Sequence, residues 1–212
     1  MILKKQKIDV FVIFVTILTI SHPSYTHNLV DISKINPDIV LDIRYATKNN
    51  FTKKILYPQA KCFLQKETAD KLNKVQKELK TLGLGLKVFD GYRPYSIQFI
   101  MFKAFPDPQY VANPYNKNFK GSIHNRACAI DCTLVDLKTD KELAMPSKFD
   151  DFSSRAHRNY KKMPKKIRKN CKLLEQIMVK HGFSTFYNEW WHFNDKDWEK
   201  YPVLNISFQE LS

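Results

Sequence analysis

Residues 127–137 read Ala-Cys-Ala-Ile-Asp-Cys-Thr-Leu-Val-Asp-Leu, and the fold turns on how that stretch is taken. Polar and apolar side chains alternate as they do in a strand. A period of two puts Ala129, Asp131 and Thr133 on one face and Cys128 and Cys132 on the other. Upstream, residues 64–82 place Leu64, Ala69, Leu72, Val75, Leu79 and Leu82 at helical spacing, closed by Gly83. Residues 86–90 form a short strand, and Asp90-Gly-Tyr-Arg-Pro94 is a turn. Residues 96–105 are a short helix capped by Ser96, and 107–119 a loop rich in Pro and Asn. Downstream, Pro164 opens a helix through Ile167, Cys171, Leu174, Ile177 and Met178, closed by Gly182, and residues 184–193 read as a last strand. Strands and helices do not alternate regularly. The expectation is therefore an α+β single domain with a central, largely antiparallel sheet flanked by helices.

Composition narrows the class. With 212 residues, 43% hydrophobic and 26% charged, the chain is neither disordered nor collagen-like nor a multi-span membrane protein. Residues 1–26 begin basic, continue through the eleven-residue apolar run 10–20 and turn polar, the order of a secretory signal peptide. Eleven helical residues rise only ~16 Å against ~30 Å of hydrocarbon, so a stable membrane span is not expected. Residues 27–212 are then the working domain, periplasmic or secreted. Export lets Cys62, Cys128, Cys132 and Cys171 meet an oxidising compartment in three alternative full pairings, with buried free thiols as the other reading. Cys128 and Cys132, ~13 Å apart along one strand, should not bond each other. The net charge of +14 is concentrated in residues 152–174, which hold nine Lys/Arg and no acid. That run is either a solvated face or a surface for weak association with an anionic cell envelope. No nucleic-acid-binding motif accompanies it.

The chemistry-bearing residues are few. His124 precedes Asp131 by seven residues, and Glu189 precedes His192 by three within Glu189-Trp-Trp-His-Phe193. Two imidazoles, one carboxylate and a water make a usual catalytic zinc shell, and such a zinc ion brings its water to a pKa of about 7. Glu189, beside a ligand but free of the metal, suits a general base. Arg93 suits a developing oxyanion, being always charged and forked. Parity raises one difficulty. Glu189 and His192 fall on opposite faces of a plain strand, so the reading predicts a bend or bulge near Trp190 and Trp191.

Phe89-Asp-Gly-Tyr-Arg-Pro94, Ser122-Ile-His124 through Ala129-Ile-Asp131, and Glu189-Trp-Trp-His-Phe193 stand in an order and spacing that resemble the D-alanyl-D-alanine dipeptidases. The likeness runs from about residue 42 to 198 and includes Tyr45-Ala-Thr47, Tyr57-Pro58 and Phe149-Asp150. The resemblance implies a D,D-peptidase/hedgehog-like fold and one Zn2+ per chain on His124, Asp131 and His192. It also implies Glu189 as general base, Arg93 as transition-state partner, and Tyr57, Ser122 and Asp150 around the amino group of a small D-amino-acid dipeptide. Two other readings stand beside it: a D,D-carboxypeptidase acting on cell-wall stem peptides, and a non-catalytic cell-wall-binding module. The chain departs from the family at Ala127 and Pro146, where Gly is usual, and at Cys171, where Arg is common.

Overall fold

In the computed structural model, residues 28–118 and 121–211 are described; the expected signal peptide lies outside them. The chain runs through β1 (Leu29–Asp31), α1 (Ile32–Ile35), β2 (Val40–Leu41), β3 (Phe63–Gln65), α2 (Lys66–Thr81) and β4 (Leu84–Asp90). It continues through α3 (Tyr95–Ala104), β5 (Ala129–Asp136), β6 (Lys141–Glu142), α4 (Lys165–Lys180), β7 (Phe183–Phe186) and β8 (Glu189–Asp195). The main sheet has the order β2-β4-β5-β8-β7, with β6 on the end of β5. Its β2–β4 pair is parallel and the other pairs are antiparallel. The α+β expectation therefore holds.

β5 occupies the centre because nothing in it resists burial on both faces. Ala129 through Val135 are all buried, and the one charge among them, Asp131, is paired rather than left in apolar surroundings. Helix α2 turns Ala69, Leu72, Val75 and Leu79 inward, the spacing of a single stripe, and α4 does the same with Leu174, Ile177 and Met178. Each fully buried Leu or Ile contributes about 1.5–3 kcal/mol. The two helices are pinned where they end: Glu78 of α2 accepts from Lys180 at 2.9 Å and from His181 at 2.7 Å. The four cysteines are free thiols, and Cys62, Cys128 and Cys132 are buried.

Some expectations need correction. The helix expected from residue 64 starts at Lys66, because Phe63–Gln65 pair with β1 instead. Ser96 caps nothing. Pro94 stands at the cap of α3, and the Ser96 N–H donates to Asn205 Oδ1 at 2.8 Å. The last strand is a hairpin, broken between Phe186 and Glu189. The small elements β1, α1, β2 and β6 lie outside the sequence expectations, since runs of two to four residues show no period.

Candidate metal centre

Two register faults in the sheet assemble the site. Val88 pairs with Cys132, yet Asp90 pairs with Asp131, so Phe89 is an extra residue in β4. The bulge turns Asp90 toward Asp131 at the end of the strand. On the other side, Thr185 pairs with Phe193 while Phe186 pairs with Glu189, leaving Trp190, Trp191 and His192 without partners on β7. This is the bend that parity demands, and it lets Glu189 and His192 face one cavity. His192 itself lies opposite Asp131 across β5 and β8.

His124 arrives from a 3-10 turn, Ile123–Arg126. Ser122 caps that turn, accepting from the His124 N–H at 3.3 Å, while Asn125 Oδ1 accepts from the Ser122 N–H at 2.6 Å. Ala127 ends the turn with φ at 58°, in the left-handed region, and so redirects the chain into β5. A Gly would adopt that φ freely; the methyl costs about 1 kcal/mol.

The three side chains converge. His124 Nε2 lies 3.4 Å from Asp131 Oδ2 and 3.2 Å from His192 Nδ1, and His192 Nδ1 lies 3.0 Å from Asp131 Oδ1. Ligands bonded at about 2.0–2.1 Å in a tetrahedron stand about 3.3 Å apart, so these separations suit a zinc-sized ion. Both rings already spend their other nitrogen. His124 Nδ1–H donates to the Gly91 carbonyl at 2.7 Å, and His192 Nε2–H donates to Asn194 Oδ1 at 2.7 Å. Those bonds select the tautomers that turn the bare nitrogens toward Asp131, the usual outer arrangement of a metal-binding histidine. Burial raises the Asp131 carboxyl, but the positive charge and N–H donors that His124 and His192 present when protonated outweigh it and hold Asp131 below the usual carboxylate range. With the bare-nitrogen tautomers, a bound cation would supply that charge instead.

Around this cluster lies a cavity of about 290 Å³ that includes Arg93, Ser122, Asp150 and Glu189 in its wall. Glu189 Oε2 stands 3.7 Å from His192 Nδ1. Burial, then the charges of Asp131 and Asp150, push the Glu189 carboxyl well above its ordinary value. Arg93 is held from behind: Nη2 and Nε donate to Asp90 Oδ2 at 2.7 and 3.2 Å, Nη1 donates to Gln98 Oε1 at 2.9 Å, and the guanidinium lies over the Tyr45 ring. Asp150 is aimed by a left-handed backbone, φ 61°, and accepts from Tyr45 Oη at 3.1 Å and the Phe51 N–H at 3.0 Å. Tyr57 is not brought into the cavity. It is buried with its hydroxyl donating to Asp90 Oδ1 at 2.9 Å, one step behind Arg93.

Four other contributors escaped the sequence reading: Tyr45, Asp90, Gln98 and Asn194. Asn194 had a usable signal, since it follows His192 by two in a strand and must share its side. Asp90 stood within the quoted turn motif, three residues from the Arg93 it supports.

The whole of this site falls inside a family model described as D-ala-D-ala dipeptidase, which matches residues 25–210. The chain belongs to the D-ala-D-ala dipeptidase family. Its relatives in that family include the D-alanyl-D-alanine dipeptidase of Escherichia coli K12, 37% identical over 185 residues that cover 87% of this chain and 93% of the relative. The D-alanyl-D-alanine dipeptidase of Enterococcus faecalis is 33% identical, covering 79% and 90%. That of Streptomyces coelicolor is 28% identical with the same coverage. This member of the family is thus an enzyme of the metallopeptidase kind, and its His124, Asp131 and His192 form the three-residue group with ligand atoms all within 4.8 Å of one another.

Asp150 offers a test of the site's electrostatics. Burial pushes its carboxyl from 3.8 to about 7, against the hydrogen bonds from Phe51 and Tyr45. The folded state then holds a proton there that the unfolded chain releases near pH 4. Stability falls as pH rises between those two values, and the full penalty is present above 7. Asp150→Asn keeps an acceptor for Phe51 and removes the titration. Metal-free Asp150→Asn is expected to match the parent at pH 4 and to exceed it at pH 8 by on the order of 2 kcal/mol, discounted for the solvent in the cavity. Thermal melts at the two pH values check this; equal melting points at pH 8 would contradict it.

Proposed function

We propose that this chain hydrolyses free D-alanyl-D-alanine, with one zinc ion held by His124 Nε2, Asp131 and His192 Nδ1. The observation that carries the reading is that cluster, with both outer imidazole nitrogens already engaged, opening into the same cavity as Glu189 and Asp150. When bound, zinc supplies a water acidified to a pKa of about 7 and a polarised carbonyl. Glu189 takes the proton of the attacking water and returns it to the leaving amine. Its raised proton affinity suits that exchange, and a nearby dication lowers it toward neutrality. Arg93, held charged by Asp90, faces the oxygen on which negative charge builds. Asp150 and Ser122 receive the substrate's ammonium, and Tyr57 supports Arg93 through Asp90 rather than touching substrate.

The cavity favours a short substrate. Residues Pro108 to Asn113 form one wall. Tyr110 is tied down by a 3.0 Å bond to His157 and a stack on Phe152, and Asn188 Nδ2 donates to the Gln109 carbonyl at 2.9 Å. A longer peptide replaces the ammonium with an amide, so Asp150 keeps its proton and the ion pair that would hold the dipeptide is forfeited. Turnover of D-Ala-D-Ala at least 100-fold above that of a stem pentapeptide is the expected result; comparable rates would favour the D,D-carboxypeptidase reading. We further propose export directed by residues 1–26 and weak adhesion of the exposed cations in 152–174 to anionic envelope polymers. Cell fractionation at low and 0.5 M salt tests both: a cytoplasmic protein, or an envelope-bound fraction unchanged by salt, contradicts them.

A further inference from the structure

Of the nine cations between residues 152 and 174, eight are exposed and one is not. The exception is Arg158, whose side chain is only 12% exposed. Its guanidinium sits against the β7–β8 hairpin and uses each of its nitrogens. Nη2 donates to the His192 carbonyl at 2.7 Å, Nε to the Phe186 carbonyl at 2.9 Å and Nη1 to Glu175 Oε2 on α4 at 3.0 Å. Its own N–H donates to the Tyr187 carbonyl at 3.0 Å, and its charge lies 4.5 Å from the centre of the Phe193 ring.

Those partners are the backbone of the bulge. Trp190, Trp191 and His192 have no pairing residue on β7, so the ladder offers nothing on that side to the His192 carbonyl. A buried carbonyl without a donor is destabilising, and a hydrogen bond from a charged donor is worth more than one from a neutral donor. Straightening the hairpin into regular pairing would recover backbone bonds but return Glu189 and His192 to opposite faces. Arg158 shifts that balance toward the bulged form.

We propose that Arg158 is a positioning residue for the reaction: it replaces the missing strand bonds of the bulge and thereby sets where His192 and Glu189 stand relative to His124 and Asp131. The proposal rests on the reading of His192 as a metal ligand. Arg158 does not touch the cavity, and Lys is no substitute, since one ammonium cannot span both carbonyls as a planar fork does.

Arg158→Lys and Arg158→Met test it, with Glu175→Gln as control, since Glu175 touches Nη1 and neither carbonyl. Zinc affinity is read by competition with a chromogenic chelator, and kcat and KM for D-Ala-D-Ala at saturating zinc. Both Arg158 variants are expected to bind zinc 10–100-fold more weakly, the loss typical of an outer-shell partner. They should also lose at least tenfold in kcat with KM changed less than threefold, while Glu175→Gln stays within twofold of the parent. A third readout needs neither zinc nor turnover: the indole N–H signals of Trp190 and Trp191 in metal-free protein are expected to move in Arg158→Lys and stay in Glu175→Gln. Parental zinc affinity, kcat and indole signals in Arg158→Lys would overturn the proposal, whatever the melting temperature. If Arg158→Met does not fold, Arg158→Lys decides alone. If the parent turns over no dipeptide while the indole signals move, the proposed function fails and the positioning role stands.

Discussion

Glu189→Gln is expected to lower kcat by about 10³-fold while zinc content and fold stay parental. The substitution keeps the shape of the side chain and removes its proton affinity. Burial and the charges of Asp131 and Asp150 make an ionised Glu189 unfavourable before any cation arrives, so the neutral amide costs the metal-free protein no stability. KM should change little, because in the proposed mechanism the carboxylate acts on water rather than on the resting substrate. Steady-state kinetics with metal analysis on the same sample check this. A kcat within tenfold of the parent would remove Glu189 from the chemistry.

Asp131→Asn is expected to have the larger effect. Asp131 lies within 3.0–3.4 Å of both bare imidazole nitrogens and is the one anion among the three converging groups. An amide has the same outline but no charge to offset a dication. Zinc affinity should fall by more than the 10–100-fold of an outer-shell loss, and activity should vanish at sub-stoichiometric zinc. Circular dichroism should be unchanged, since Asp131 belongs to a strand whose pairing with β4 and β8 runs on either side of it. Parental zinc affinity in Asp131→Asn would place the metal elsewhere.

Much of this site is legible in the sequence alone. Period-two alternation alone separated Asp131 from Cys128 and Cys132, because burial on opposite faces is a property of the strand and not of its neighbours. The failed parity between Glu189 and His192 was itself informative, since only a bulge could reconcile them and a bulge is there. What stayed hidden depends on distant contacts. Nothing in the local sequence says that the carbonyl of Gly91 meets His124, that Gln98 meets Arg93, or that Tyr57 spends its hydroxyl on Asp90. Arg158 was hidden by its company, one inward-facing guanidinium in a run of exposed cations. The hairpin was read as a single strand because Tyr187 and Asn188 carry neither Gly nor Pro to mark the turn.

One measurement reaches the centre of the account: zinc per chain in the purified protein, with D-Ala-D-Ala turnover followed through chelation and stoichiometric return of the metal. One zinc per chain, activity lost with it and restored by one equivalent, is the predicted result. Full turnover in protein stripped of all divalent metal would contradict it.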